Sequence, residues 1–226
     1  MSTRKLVLRR LLSAALLIGL LLPCIAAAKS HKKKPPKPAT FSYYLLALSY
    51  APDFCSQPQG DKDPRECGVG RHVGFIVHGL WPQGENSRGP VNCGDPSIVA
   101  QEVIQATLSY VPTESLIQHE WTTHGTCSEL SAADYFATLR KARDSITLPP
   151  DLDQPSQLLQ ISLVEIESKL ASANPSFPAT AFRTSCYRDG QLQELRACLN
   201  KDLTPRPCGE SVGECSVAEV TLLPVR

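Results

Sequence analysis

Apolar runs with few charges lie towards both ends of the chain and predict β-strands. The run Phe41–Tyr50 is aromatic and apolar, and Pro52 follows it closely. A shorter apolar run, Gly74–Val77, is followed by His78, which we place at the end of that strand. The C-terminal part of the chain contains three more such runs, the first two of which flank an Arg-Asp-Gly turn: Thr180–Tyr187, Leu192–Leu199 and Val217–Val225.

The middle of the chain has helical spacing instead. Apolar residues recur every three or four positions between Pro96 and Tyr110, with Asp95 as the predicted N-cap. Three further helices are predicted at Leu116–His124, at Ser131–Ser145 with Ser131 as its N-cap, and at Leu163–Ala173. The segment Cys55–Gly70 is rich in Pro, Gly and charges and predicts a loop. Helices between two groups of strands favour an α+β fold, with a mainly antiparallel sheet packed with helices.

The N-terminus has the pattern of a secretory signal peptide over residues 1–28. Basic residues precede the apolar run Leu11–Ile25, and three alanines at positions 26–28 provide a small-residue cleavage site. The apolar run is short for a membrane span, so a retained anchor is the less favoured alternative and we expect no span in the mature protein. Residues 29–38 predict a basic, Pro-rich, disordered tail, and residues 39–226 a single catalytic domain. We expect an exported protein, either periplasmic or secreted.

Charge limits how the folded domain could bind a polyanion. The chain has 23 Lys and Arg against 22 Asp and Glu, and residues 1–28 contain four of the basic residues and no acidic one. The tail contains five more lysines, which leaves 14 basic against 22 acidic residues from Pro38 onward. The domain is therefore acidic, and a nucleic acid would bind at a local site and not over a broad basic face.

Eight cysteines remain once the signal peptide is removed, at positions 55, 67, 93, 127, 186, 198, 208 and 215. An even number of cysteines in an exported chain predicts four disulfides. The chain has no C-x-x-C pair, which argues against a cysteine zinc site. The cysteine positions alone leave the connectivity open, because eight cysteines allow about 105 pairings.

Two short stretches hold most of the scarce titratable and stacking residues. Gln118–Cys127 and Phe75–Pro82 together contain three of the five histidines of the chain and both of its tryptophans. On a helix, residues four apart share a face, so we expect two pairs within the first stretch: His119 with Thr123, and Glu120 with His124.

These side chains match the requirements for cleavage of RNA at the 2′-hydroxyl. One histidine can take the 2′-proton, the 2′-oxygen attacks phosphorus, and a second histidine can protonate the departing 5′-oxygen. A donor or cation near the non-bridging oxygens would stabilise the transition state, and an aromatic plane such as Trp81 could stack on a base without reading it. The parts for this chemistry are His78, His119, His124, Glu120 and Trp81, and they need no cofactor.

Two other interpretations of the histidines are open. His78, His119 and His124 could be three zinc ligands of a hydrolase, although histidines five residues apart lie on different faces of a helix. The histidines could also be buried structural residues of a disulfide-rich binding domain. His31 and His72 fall in segments that predict solvent exposure and need no function.

The two stretches resemble the active-site motifs of the ribonuclease T2 family. The first is Phe-Ile-Val-His-Gly-Leu-Trp-Pro from Phe75, and the second is His-Glu-Trp-x-x-His-Gly-Thr-Cys from His119. Two more segments are similar to that family, the first strand at Tyr43–Cys55 and the late run Gln193–Leu203. The resemblance covers about residues 40–225.

The resemblance implies an exported α+β enzyme that cleaves single-stranded RNA without a metal and with little base preference. Cleavage would give 2′,3′-cyclic phosphate and then 3′-phosphate ends. His78 and His124 would be the acid–base pair, His119 would hold the phosphate and Glu120 would orient or polarise the site. Trp81, Trp121 and Thr123 are the expected substrate contacts, and we expect a monomer. The implied disulfides are Cys55–Cys67, Cys93–Cys127, Cys186–Cys215 and Cys198–Cys208.

One position departs from the family pattern. The family commonly has lysine immediately before the second catalytic histidine, and this chain has Thr123. Threonine offers a hydroxyl donor but no charge for the transition-state phosphorane. We therefore expect an active but slower enzyme in which protonated His119 stabilises more of the developing charge. A relative that binds RNA without cleaving it is the alternative.

Overall fold

The computed structural model describes residues 40–58, 64–94 and 97–225. The predicted signal peptide, the predicted tail and the predicted cap at Asp95 lie outside the described residues. Among the described helices, none has the length and the apolar character needed to cross a membrane.

The described residues form an α+β fold, which confirms the predicted class. In chain order the strands are β1 (Tyr43–Tyr50), β2 (Phe75–Gln83), β3 (Leu159–Ser162), β4 (Phe182–Cys186), β5 (Leu192–Leu199) and β6 (Glu219–Leu222). The helices are α1 (Ala51–Ser56), α2 (Pro64–Cys67), α3 (Gln101–Thr107), α4 (Glu114–Thr123), α5 (Ala132–Asp144), α6 (Pro150–Asp153) and α7 (Leu163–Ala173).

The main sheet has the strand order β2-β1-β5-β4, and every neighbouring pair is antiparallel. Strands β3 and β6 form a separate antiparallel pair. A turn with Gly190 at φ 84° joins β4 to β5, and this backbone conformation suits glycine because it has no Cβ. The turn lies where the Arg-Asp-Gly sequence predicts it.

Strand β1 lies in the middle of the sheet and is buried on both faces. Tyr44, Leu46, Leu48 and Tyr50 join the main core beneath the helices, while Tyr43 and Leu45 pack on the other face with Cys198 and Val212. Burying each such side chain contributes about 1.5–3 kcal/mol, so an aromatic and apolar strand belongs at the centre of the sheet.

Side-chain caps begin three of the helices. Thr113 caps α4, Ser131 caps α5 and Ser162 caps α7, each by accepting a backbone N–H three residues later. These caps satisfy donors that the first helical turn leaves free. Helix α5 also fixes the sheet, because the buried Tyr135 hydroxyl donates a 2.9 Å hydrogen bond to the carbonyl oxygen of Leu80 on β2.

Four disulfides join the eight described cysteines in the pairs that the family resemblance implies: Cys55–Cys67, Cys93–Cys127, Cys186–Cys215 and Cys198–Cys208. The second of these ties the loop after β2 to the 3₁₀ turn Gly125–Cys127 that follows α4. It therefore fixes the end of the helix that carries the second sequence motif.

Several predicted boundaries are wrong. The predicted loop Cys55–Gly70 contains α2 and the end of α1, and the helix predicted from Pro96 begins only at Gln101, after an extended Ala100. The second strand does not end at Val77 but continues to Gln83. Gly79 and Pro82 predict that the strand stops early. Strand β2 lies at the edge of the sheet, however, where a proline without an N–H need not cost a hydrogen bond between strands. Strand β3 and helix α6 were not predicted from the sequence.

Candidate active site

His78 projects from a bulge in β2. In the pairing with β1, Gly79 lies opposite Ala47 and Val77 opposite Leu48, so His78 is the extra residue of the two strands. A bulge bends its strand and redirects one side chain, and bulges are common next to active sites. The prediction that His78 ends a strand is therefore wrong: the bulge gives it its direction within a continuous strand.

Two buried carboxylates flank the His78 ring. The Nδ1–H donates a 2.7 Å hydrogen bond to Oε1 of Glu194, and Nε2 lies 3.7 Å from Oε1 of Glu120. Burial opposes a charge on His78, but the hydrogen bond and charge of Glu194, with the charge of Glu120, raise the pKa of the imidazole above its ordinary value. His78 therefore retains its proton at higher pH than a free histidine does.

Trp81 connects the two histidines of the candidate pair. Its ring stacks on His124 with centroids 5.2 Å apart and an interplanar angle of 28°, and it meets His78 edge-on at 5.1 Å. Its indole N–H donates a 2.8 Å hydrogen bond to Oε2 of Glu120. Trp81 thus fixes the relative positions of both imidazoles and of the carboxylate.

Glu120 has no exposed surface. Burial raises its pKa to about 7, against the opposing effects of the His78 charge and the Trp81 hydrogen bond. Its Oε1 has no hydrogen-bond partner among the described residues. A carboxyl group in this state can exchange a proton near neutral pH, or orient a neighbouring imidazole when it is ionised.

His124 lies just beyond α4, as its C-cap residue. Its backbone N–H donates a 3.0 Å hydrogen bond to the carbonyl oxygen of Glu120, so the predicted i, i+4 relationship between these two residues is present in the backbone. The side chain of Glu120 contacts Trp81 and His78. Burial, together with the charges of His119 and His78, lowers the pKa of His124 to about 4. Its Nδ1 is buried without a partner among the described residues.

Two cavities adjoin the histidines. One, of about 420 Å³, contains His78, His119 and Glu194 in its wall, together with Phe54 and Tyr187. The other, of about 390 Å³, is lined by Trp81, His124, Val91 and two arginines, Arg88 and Arg196. His119 therefore lies on the side of His78, and the arginines on the side of His124.

The remaining two predicted substrate contacts do not line either cavity. Trp121 is only 7% exposed and belongs to the main core, where it packs against Tyr135. The prediction that Trp121 contacts substrate is therefore corrected: it faces the core because its position on α4 is turned towards α5. Thr123 is half-buried, and its carbonyl oxygen accepts a 2.8 Å hydrogen bond from the Asn92 N–H.

The arrangement of the histidines differs from that of a three-histidine zinc site. His124 stacks on Trp81, and the Nδ1 of His78 is occupied by Glu194. Within residues 40–58, 64–94 and 97–225, no group of three or more His, Cys, Asp or Glu side chains is placed to hold a metal ion.

Sequence reasoning missed Glu194, Arg196 and Arg88. One sequence signal for Glu194 is its charge inside the apolar strand β5, where burial of the carboxylate demands a partner. That partner, His78, is 116 residues away in sequence, and only the sheet brings the two together.

The model of the Ribonuclease T2 family matches residues 41–208, which include both histidine motifs. The chain belongs to the ribonuclease T2 family. It is 38% identical over 175 residues to a protein of Haemophilus influenzae named probable ribonuclease, a match that covers 72% of this chain and 59% of that protein. It is 30% identical over 211 residues to a ribonuclease of Aeromonas hydrophila, covering 83% and 84% of the two chains.

Solved structures of this family share the fold. An RNase-related protein from Calystegia sepium aligns with a TM-score of 0.65 at 23% identity and covers 82% of this chain and 98% of its own. A crystal structure of RNase NT in complex with 5′-AMP aligns with a TM-score of 0.54 at 18% identity and covers 82% of this chain and 99% of its own. The α+β fold of the T2 family is thus common to this chain and to distant relatives.

Proposed function

We propose that this protein is an endoribonuclease that cleaves single-stranded RNA by attack of the 2′-hydroxyl, in two steps. The observation that carries the proposal is the contrast between its two histidines. Both histidines contact Trp81 in one site, His78 edge-on and His124 by stacking. The surroundings of His78 nevertheless favour the imidazolium, while those of His124 favour the neutral ring. A pair of titratable groups whose pKa values are pushed apart provides an acid and a base at the same pH.

His124 is the base in this proposal. Its lowered pKa keeps the ring neutral above about pH 4, so it can accept the proton of the 2′-hydroxyl. The 2′-oxygen then forms a bond to phosphorus as the bond from phosphorus to the 5′-oxygen breaks. The first products are a 2′,3′-cyclic phosphate and a free 5′-hydroxyl.

His78 is the acid that completes the first step. Its Nε2 gives a proton to the departing 5′-oxygen, while Nδ1 remains bound to Glu194. In the second step the roles reverse: His78 takes a proton from water, the water oxygen attacks phosphorus, and His124 protonates the 2′-oxygen. The cyclic ester opens to a 3′-phosphate. No metal takes part in either step.

Three side chains support the reaction. His119 lines the cavity beside His78, and in this proposal its imidazole donates to the non-bridging oxygens. Glu120 lies 3.7 Å from Nε2 of His78 and holds that nitrogen in the cleft. The Trp81 ring stacks on His124 and lines the second cavity, where it can also contact a nucleotide base through its π-face.

The substrate is single-stranded because the bases must leave a duplex to enter the cavities. The walls offer stacking surfaces and cations, and stacking is tolerant of base identity, so we propose low base specificity. Thr123 brings no cation to the site, which makes the transition state depend more on His119. Four disulfides suit an oxidising compartment, in line with export to the periplasm or the medium, and we propose a monomer.

The test is digestion of single-stranded RNA in excess EDTA with analysis of the new ends. Wild-type protein should release 2′,3′-cyclic phosphates, and His124→Ala should lower kcat by about 10²–10⁴-fold. His72→Asn is the matched control, because His72 is exposed and asparagine accepts its φ of 52°. It should cleave as wild type does.

Two results would overturn the proposal. Cleavage that EDTA abolishes would indicate a metal-dependent hydrolase. No cleavage from pH 4 to pH 8, combined with measurable binding of the same RNA, would indicate a relative that kept the fold and lost the chemistry, as the absent lysine at position 123 allows.

A further inference from the structure

We infer that Glu194, held in place by Arg196, is a positioning residue for His78: it fixes the hydrogen on Nδ1 and aims Nε2 into the cleft. This inference rests on the proposed function, because it assigns a role in the same reaction. It concerns a residue outside both sequence motifs, on β5, two strands away from β2 in the sheet.

The contacts of Glu194 use both carboxylate oxygens. Oε1 accepts the 2.7 Å hydrogen bond from Nδ1 of His78. Oε2 accepts a 2.8 Å hydrogen bond from Nε of Arg196 and forms an ion pair with Nη2 of the same guanidinium at 2.8 Å. The side chain of Glu194 is only 3% exposed, whereas that of His78 is 33% exposed. The carboxylate is therefore fixed beneath an imidazole that remains open to the cleft.

The sheet register explains how Glu194 reaches His78. Ser49 on β1 lies opposite Ile76 of β2 on one side and opposite Glu194 of β5 on the other. Neighbouring strands are about 4.8 Å apart, so β2 and β5 are separated by roughly 10 Å. Ser49 has a small side chain that leaves space above β1. The bulge turns the His78 imidazole into this space, towards Glu194. The glutamate and the histidine thus meet above the serine.

The chemistry of the contact fixes the tautomer. An ionised carboxylate can only accept, so Nδ1 must carry the hydrogen of this bond. Burial favours the neutral form of Glu194, but the hydrogen bond and charge of His78, with the charge of Arg196, hold the pKa of this carboxyl below its ordinary range. The other ring nitrogen, Nε2, is then the one that exchanges a proton with substrate, and it points towards Glu120.

Other charged groups also face His78 and must be separated from Glu194. Glu120 approaches from α4, and Glu66 on α2 acts at longer range, both favouring the imidazolium. His124 lies across Trp81, and the charges of the two histidines oppose each other. Glu194 alone among these groups binds Nδ1, so its removal should change both the charge state and the orientation of the ring.

The first test uses Glu194→Gln, which keeps the shape of the side chain and removes its charge. The imidazole titration of His78 is followed by NMR in the RNA-free protein, and kcat/KM is measured against pH. We expect the His78 pKa to fall, and the alkaline limb of the kcat/KM profile to move to lower pH by the same amount. KM should change less than kcat, because the Glu194 side chain is only 3% exposed beneath His78.

The second test uses Glu194→Ala, which also removes the hydrogen-bond partner of Nδ1. Misplacement of a reacting group by about 1 Å can cost roughly 100-fold in rate, so we expect a loss of that order in kcat beyond the effect of Glu194→Gln. If this variant does not fold, Glu194→Gln still decides the question through the titration.

Glu214→Gln is the matched control. Glu214 also pairs with an arginine, Arg183 on β4, at 3.9 Å, but does not contact His78. It should leave the titration and the profile unchanged. The inference is overturned if Glu194→Gln also leaves both unchanged, or if the two variants shift them equally. Should the wild-type protein cleave no RNA, the proposed function fails, yet the shift of the His78 titration still tests the role of Glu194.

Discussion

The indole N–H of Trp81 donates a 2.8 Å hydrogen bond to Oε2 of Glu120, a carboxylate with no exposed surface. This bond links the two sequence motifs, since Trp81 belongs to β2 and Glu120 to α4. The space around this bond is closely filled, and Gly79, which has no side chain, lies directly against both groups.

Gly79→Ala should disrupt this centre. A Cβ at position 79 would overlap the Glu120 carboxylate and the Trp81 indole nitrogen. We expect a fall in the free energy of unfolding of about 1–3 kcal/mol and a loss of RNA cleavage, because the carboxylate must move away from its donor. Urea denaturation and initial rates measure the two effects.

The control for this glycine is Gly213→Ala, where no atom lies within 4 Å of the added Cβ. Its stability and activity should stay near those of wild type. Equal stability and activity of the Gly79 variant would show that the Trp81–Glu120 contact can rearrange at no cost.

Thr123→Lys should raise kcat, most strongly at neutral pH. Lysine stays charged at pH 7, whereas an unperturbed histidine is mostly neutral there, so a lysine at position 123 would supply a cation that the site otherwise lacks at neutral pH. We expect an increase of about tenfold at pH 7 and a smaller one at pH 5. Steady-state rates at the two pH values measure it.

Thr122→Lys adds the same charge one residue earlier on α4 and separates a local contact from general attraction of RNA. It should change KM more than kcat. Rates that Thr123→Lys leaves unchanged at both pH values would show that this chain does not lack a cation.

Removal of the Cys93–Cys127 disulfide should damage the site as well as the fold. Replacing both cysteines by serine opens a link with a sequence separation of 34 residues, worth about 4 kcal/mol in chain entropy. Because Cys127 follows His124 in the adjoining 3₁₀ turn, kcat should fall even where the protein remains folded.

The comparison is the double serine variant of Cys55 and Cys67, with a separation of 12 residues and about 3 kcal/mol of chain entropy. It should lose stability and keep its kcat at 25 °C. Equal losses of kcat in the two variants, measured below their melting temperatures, would contradict a specific role for Cys93–Cys127.

Asp53→Asn should change how stability depends on pH. Asp53 is fully buried, and burial raises its pKa from 3.8 to about 7, although Oδ1 accepts a 2.9 Å hydrogen bond from the Leu223 N–H. The folded state therefore binds the proton more tightly than the unfolded state does. Stability from this group is present below about pH 4 and is lost as pH rises towards 7, by about 4 kcal/mol.

Asparagine keeps the acceptor for Leu223 and cannot ionise, so the variant should lose less stability than wild type between pH 4 and pH 7. Melting temperatures across that range test the expectation. Asp144→Asn, at an exposed carboxylate, should follow the wild-type curve of stability against pH. If the Asp53→Asn curve also runs parallel to that of wild type, Asp53 does not bind its proton more tightly in the folded state than in the unfolded state.

Local pattern was enough to predict most elements that have a cap or a long apolar run. Strand β1 and helix α7 lie where the sequence places them, and Ser131 caps α5 as its side chain suggests. Short elements were missed or misplaced, as α2 and β3 show, because four residues carry too little periodicity to exceed the signal of nearby Pro and Gly.

The sequence by itself determined the chemistry available to this protein: its scarce histidines and tryptophans are concentrated in two motifs, and the residue types of an acid–base site can be identified in each. Only the tertiary structure decided how these residues act. A bulge aims His78, Trp81 stacks on His124 and binds Glu120, and β5 brings Glu194 to His78. The reason is physical: proton affinity depends on burial and on neighbouring charge, and both are set by contacts between residues far apart in the chain.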